Sequence, residues 1–270
     1  MAICGSALHK VELLKLGGGD LRKGEVIYYQ RQLEADLKRL PADDPQLIAD
    51  SEVLVRMLDR AGRSAEADAL VRQAVERSRG TRETPELATS LYGLGSRFSS
   101  RGELAEAERL LGRAVACAGS AGPLEPTLAL RTHAEALQGL NRLAEAQRQL
   151  ERALELLDAK PRNDLSRAFV LRQLSAVLSD QGQLARAEPL LAAAESEVRR
   201  LMGDDYWQTG ELMDERAQLL RRLGRSGEAA KLEVAVRKIL EAATQNQHFD
   251  AAARARWQER LKALTARTRQ

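Results

Sequence analysis

Three histidines, two cysteines and two Asp-Asp pairs are the residues in this sequence best suited to catalysis or metal binding. A metal centre needs several such ligands at short, ordered spacing, and His9, His133 and His248 are too scattered to supply one. His133 falls between Leu130 and Leu137, where a packing residue is expected, and reads as a core histidine; His9 and His248 read as solvated. Asp43-Asp44 and Asp204-Asp205 lack the ordered oxygen donors that follow the first acids of a calcium loop, so helix capping is the simpler reading. Gly17-Gly18-Gly19 precedes a helix, the geometry of an anion site, yet no Lys-Ser or Lys-Thr follows it. Cys117 reads as a small buried hydrophobe beside Ala114 and Ala118. No nucleophile stands at a readable distance from a base. The expectation is a chain without catalytic residues, metal or cofactor.

The elements that would position any site announce themselves by repetition. A Gly or Asn followed five positions later by Ala recurs at Gly62/Ala67, Gly102/Ala107, Asn141/Ala146, Gly182/Ala187 and Gly224/Ala229. Successive blocks start 40, 39, 41 and 42 residues apart. A fixed period of that size denotes a stack of helical hairpins. In the second block Thr84 and Pro85 open one helix, and Leu87, Leu91, Leu94 and Phe98 mark its apolar stripe. Gly102 breaks it, and Leu104, Ala107, Leu110, Leu111, Ala114 and Val115 line the helix that follows. The fifth block is looser, with Glu233 where an apolar residue is expected.

Composition agrees with helices that approach closely: 44% of residues are hydrophobic but only 3% aromatic. The net charge is +3, from 42 basic and 39 acidic residues that are interleaved. Only the last stretch approaches a concentrated basic face, so nucleic acid and anionic membrane are not expected partners. Two distant cysteines imply no disulfide framework, and the N-terminus lacks a signal peptide's apolar core; the expectation is a soluble, cytoplasmic protein.

These blocks resemble tetratricopeptide repeats. The family's small residue on the first helix is matched by Gly95, Ala134, Ser175 and Ala217, and that on the second helix by the five alanines above. A third small position is matched by Ala74, Ala114, Ala153, Ala194 and, as valine, Val236. The family's usual period is about 34; the longer period here, with Ala187-Glu188-Pro189-Leu190-Leu191, is similar to the kinesin light chain type. The resemblance implies an all-α fold: a right-handed α-solenoid of stacked hairpins closed by a C-terminal capping helix. The expected divisions are residues 1–47, with a degenerate first hairpin (Asp20 as N-cap, Gly24 in place of the second-helix Ala); 48–243, with five repeats; and 244–270, a linker, capping helix and basic tail. In the capping helix Ala252, Ala255, Leu261 and Leu264 are expected to face the stack, and Arg254, Arg256, Arg260 and Lys262 to face water.

The resemblance also implies a binding face, because first helices line the concave groove in this family. Carried over position by position, that face includes Arg56, Tyr92, Ser96, Arg131, Glu135, Phe169, Arg172, Gln218 and Arg221. Tyr92 and Phe169 could anchor apolar side chains, and Arg56, Arg131 and Arg172 could pair with carboxylates. The Lys and Asn set that grips a C-terminal carboxylate in chaperone-binding members is absent. The expected function is a non-enzymatic scaffold or adaptor that binds a protein or peptide segment with some acidic character. The alternatives are a regulatory sensor that responds to a small peptide or signal, and self-assembly through the stack ends. Oligomeric state is not specified by the sequence.

Overall fold

The computed structural model describes residues 7–119, 122–159, 165–245 and 250–267. Among them are thirteen helices and no strand. The chain divides into two compact units, Met1–Ala136 and Leu137–Gln270. Cys4 and His248 lie outside the described residues.

Unit 1 holds α1 (Ala7–Leu16), α2 (Leu21–Arg39), α3 (Pro45–Arg60), α4 (Ser64–Ser78), α5 (Pro85–Ser100), α6 (Leu104–Cys117) and most of α7 (Pro126–Gly139). From α1 to α6 each helix packs on a sequence neighbour, and α3 also packs on α5, so first helices lie beside first helices. Asp20, Asp44 and Thr84 cap α2, α3 and α5, accepting from the Arg22, Gln46 and Leu87 amides at 2.8, 2.8 and 3.4 Å. Pro45 and Pro85 open their helices at the position where a missing N–H costs nothing.

Unit 2 holds α8 (Leu143–Ala159), α9 (Ser166–Asp180), α10 (Leu184–Met202), α11 (Trp207–Arg222), α12 (Ser226–Gln245) and α13 (Ala251–Arg267). Every consecutive pair is in contact.

The recurring Gly or Asn ends the first helix of each hairpin in left-handed geometry. Gly62, Gly102, Asn141, Gly182 and Gly224 have φ of 73°, 77°, 58°, 75° and 76°. The next residue's amide reaches back five positions, as in Arg63 N to Leu58 O at 2.9 Å and Arg142 N to Leu137 O at 2.9 Å. This double closure satisfies the last carbonyls of the helix, and Asn is the side chain that best tolerates it after glycine.

The small residues fill the places the repeat assigns them. Ala67, Ala107, Ala146, Ala187 and Ala229 are fully buried, as are Ala74, Ala114, Ala153, Ala194 and Val236. A Cβ on Gly95 would stand 2.8 Å from Leu111 Cγ, which shows how closely α5 lies on α6. Ser175 uses its size differently: its hydroxyl donates to Ala187 O at 2.8 Å, across the α9–α10 hairpin. Gly24 is tighter still, since a Cβ there would meet Leu13 O at 1.9 Å.

Two expectations change. Glu233 is not polar drift: it is 2% exposed, and Arg221 grips it with a fork of 2.8 and 2.7 Å. In α13 the inward face is Trp257 and Leu264, both fully buried, with Ala253 and Leu261 half-buried beside them. Ala252 and Ala255 are exposed. The indole outweighs two alanines in apolar area, so it sets the rotation of the helix. Arg260 consequently does not face water alone; it reaches Glu215 at 3.4 Å and Glu211 at 3.7 Å.

Candidate interaction surface

In unit 1, α3, α5 and α7 carry the expected groove residues. Arg56 is exposed and pairs with Glu52 one turn earlier, at 3.0 Å. The Glu52 carboxylate lies against α5 where only Gly93 leaves room, and burial raises its pKa against the opposing charge of Arg56. Tyr92 is half-buried against the core, and its hydroxyl meets Thr132 Oγ1 at 3.4 Å, joining α5 to α7. Ser96 is half-buried too, and its Oγ has no hydrogen-bond partner among the described residues. Arg131 is half-buried and Glu135 exposed on α7.

The strongest charge cluster of unit 1 lies nearby. Arg97 on α5 pairs with Asp59 of α3 and, at 2.7 Å, with Asp68 of α4; Arg101 joins Asp68 at 2.5 Å. Burial and the charge of Arg101 lower the pKa of Arg97. His133 is 7% exposed, with Nε2 3.5 Å from Glu108 Oε1. The Cys117 thiol is buried, and burial raises its pKa above the ordinary value.

In unit 2, Arg172 and Gln218 line one cleft of about 250 Å³ between α9 and α11. Its floor is Ala176, Leu191 and Leu219, and its charged rim is Arg172, Asp180, Glu215 and Arg222. Arg172 is already engaged: its guanidinium forks onto Glu215, with Nε at 2.8 Å from Oε2. Burial opposes its charge, but the Glu215 hydrogen bonds and the charge of Glu211 leave its pKa raised. Gln218 is exposed and donates to Asp214 at 3.0 Å. Arg222 turns to Ser179, donating to Oγ at 2.5 Å. Phe169 is half-buried at the start of α9, and Arg221 is committed to Glu233; neither lines the cleft.

Glu215 is the cleft residue that repeat position alone did not single out, and the signal that finds it is spacing. Complementary polar residues sit one repeat apart on successive first helices. Arg172 meets Glu215 and Ser179 meets Arg222 at a separation of 43, Gln138 donates to Asp180 at 42, and Tyr92 meets Thr132 at 40. A second network joins α10 to α11. Arg216 joins Glu188 at 2.8 Å and the buried Glu195 at 3.1 Å, and Arg199 joins Glu195 from the same helix at 2.8 Å. Among the described residues no three His, Cys, Asp or Glu side chains are placed to hold a metal ion, and no helix is long and apolar enough to cross a membrane.

Stacked hairpins with buried small residues and left-handed turns define a helical-repeat protein of tetratricopeptide fold. Residues 87–120 match the family profile described as Tetratricopeptide repeat. Solved structures agree. BtubC (BKLC) from P. vanneervenii covers 90% of this chain and 94% of its own, at 16% identity and a TM-score of 0.65. The nearly identical TPR-like repeats of a Podosopora anserina kinesin light chain cover 70% and 93%, at 22% identity and 0.54. YrrB, a TPR protein with an unusual peptide-binding site, covers 78% and 91%, at 16% identity and 0.54. No curated protein sequence matches the chain.

Proposed function

We propose that this chain is a non-enzymatic interaction scaffold that takes a segment of a partner protein along the first helices of its repeats. The observation that carries the reading is the cleft between α9 and α11, an apolar floor with charged walls on the face that first helices present. Peptide binding by the similar fold of YrrB supports it. The arrangement of charges narrows the ligand. Arg172 and Arg221 are each held by a carboxylate of this chain, whereas Arg222 is exposed and hydrogen-bonded to Ser179 with no carboxylate partner among the described residues. Arg222 is therefore the cation offered to an acidic residue of the ligand, while an apolar side chain lies over Ala176 and Leu219.

A photo-crosslinking side chain placed at the exposed Ala176 tests this reading in extracts of the native source. It should capture a partner protein that the same group at Leu156, exposed on α8, does not. Arg222→Glu should abolish that capture with helicity unchanged. Equal capture from both positions would move the contact away from this cleft.

A further inference from the structure

The α2–α3 junction of unit 1 holds two acids that no binding role uses. Asp36 on α2 is 8% exposed and Asp50 on α3 is 5% exposed. Buried carboxylates are costly unless hydrogen bonds and opposite charge answer them. Asp36 is answered, because Arg39 donates to its Oδ1 from Nη2 at 2.6 Å and Nε at 3.1 Å. Asp50 is answered at one oxygen only. Its Oδ1 accepts from Gln46 Nε2 at 2.7 Å and from Gln32 Nε2 of α2 at 3.4 Å, while Oδ2 is buried with no donor among the described residues. A carboxylate oxygen gains nothing there. A protonated one does, since it becomes a donor, and Asp36 stands one turn along α2 from Gln32, which already reaches Asp50 across the junction.

We propose that Asp36 and Asp50 form a proton-dependent latch: with one proton between them, Asp50 donates to Asp36 and holds the α1–α2 hairpin on α3, and without it the hairpin loosens. Deprotonation leaves two buried anions facing one guanidinium, and the face of α3 that carries Asp50 is then uncovered more often. The charged groups that act on the pair are Arg39 and, through Arg39, Asp44 at the start of α3; Gln32 and Gln46 supply the neutral donors.

The direction of titration agrees with the geometry. Burial raises the pKa of Asp50 from 3.8, and Asp36 adds to the rise against the hydrogen bond from Gln46. The Arg39 hydrogen bond lowers that of Asp36. Asp50 thus favours docking while protonated and withdraws that contribution as pH rises through its raised value. Asp36 contributes while ionised and withdraws as pH falls through its lowered value. Docking is strongest between the two.

Hydrogen exchange on the full chain tests the latch, read as protection factors so that the intrinsic pH dependence of exchange is removed. Between pH 3.8, the ordinary value above which Asp50 is raised, and about pH 7.5, protection of α1–α2 should fall about threefold or more while that of α5–α6 holds, on the scale of tenfold per pKa unit. Asp50→Asn places a permanent amide donor opposite Asp36, so its α1–α2 protection should be high and flat over the same range. Asp36→Asn removes the second anion and should make the profile shallower, since burial still raises Asp50 but Asp36 no longer adds to the rise, which keeps the test decisive if one variant folds poorly. Equal α1–α2 protection of the unaltered chain at both pH values overturns the proposal. So does a folded variant of either kind that keeps the original slope.

Discussion

The outer helices of the two units are docked by opposite chemistry. In unit 1, α2 meets α3 through Val26 and Leu33 but also through two acids and two glutamines. In unit 2, α13 meets the preceding hairpin through the fully buried Trp257 and Leu264, with the indole N–H donating to Glu211 at 3.2 Å. An apolar contact anchored by an indole depends first on filled volume. A contact built around acids is weaker per unit area and answers to pH. The difference teaches that burial alone does not describe how firmly a terminal element is held; what is buried decides which condition releases it.

The largest expected effect comes from emptying the apolar dock. Trp257→Ala should cost about 3–5 kcal/mol in unit 2, the usual range for deleting a buried aromatic. Hydrogen exchange should show α13 losing protection first; if α13 stays protected, its docking does not depend on the indole. Next, Arg221→Met strands the buried Glu233 carboxylate. The expected loss is about 2 kcal/mol, less than for a fully enclosed pair because Arg221 is itself about a third exposed. Urea unfolding of that variant beside Arg221→Met, Glu233→Met should return most of the loss in the double variant.

Smaller effects test the turns and the surface. Gly182→Ala forces a Cβ into left-handed geometry and should cost about 1 kcal/mol, whereas Asn141→Gly should be close to neutral; a thermal scan of both compares two copies of one turn. The smallest effect belongs to the exposed pairs Arg63–Glu66 and Arg225–Glu228. Their arginines lower the pKa of both glutamates below the ordinary 4.5. The stabilisation is therefore present above that value and disappears as pH falls through the lowered ones. Glu66→Gln with Glu228→Gln should remove a slight acid-side drop in thermal midpoint.

Much of the fold was legible because its determinants are local and repeated. A Gly or Asn at each turn and Ala five positions later are steric requirements of a close hairpin, and they stand in the sequence as residue types. The register of α13 was not legible by counting small residues, because Trp257 outweighs Ala252 and Ala255. The candidate surface was legible as a set of positions on first helices, but not as a set of free groups. Arg172 and Arg221 stand on that face by repeat position, and their partners Glu215 and Glu233 lie 43 and 12 residues away, where only the packed helices bring them together. Asp36 and Asp50 were invisible for a related reason: an acid within a helix reads as solvated until another helix covers it.

The left-handed turns have a consequence for how the chain is made. Each of them closes a hairpin with hydrogen bonds that span five residues or fewer, and within each unit the main helix contacts lie between segments close in sequence. Nothing in such a plan waits for the far end of the polypeptide. A chain emerging from the ribosome can set its helices down two at a time, so that synthesis and folding advance at the same pace and apolar stripes spend little time in water.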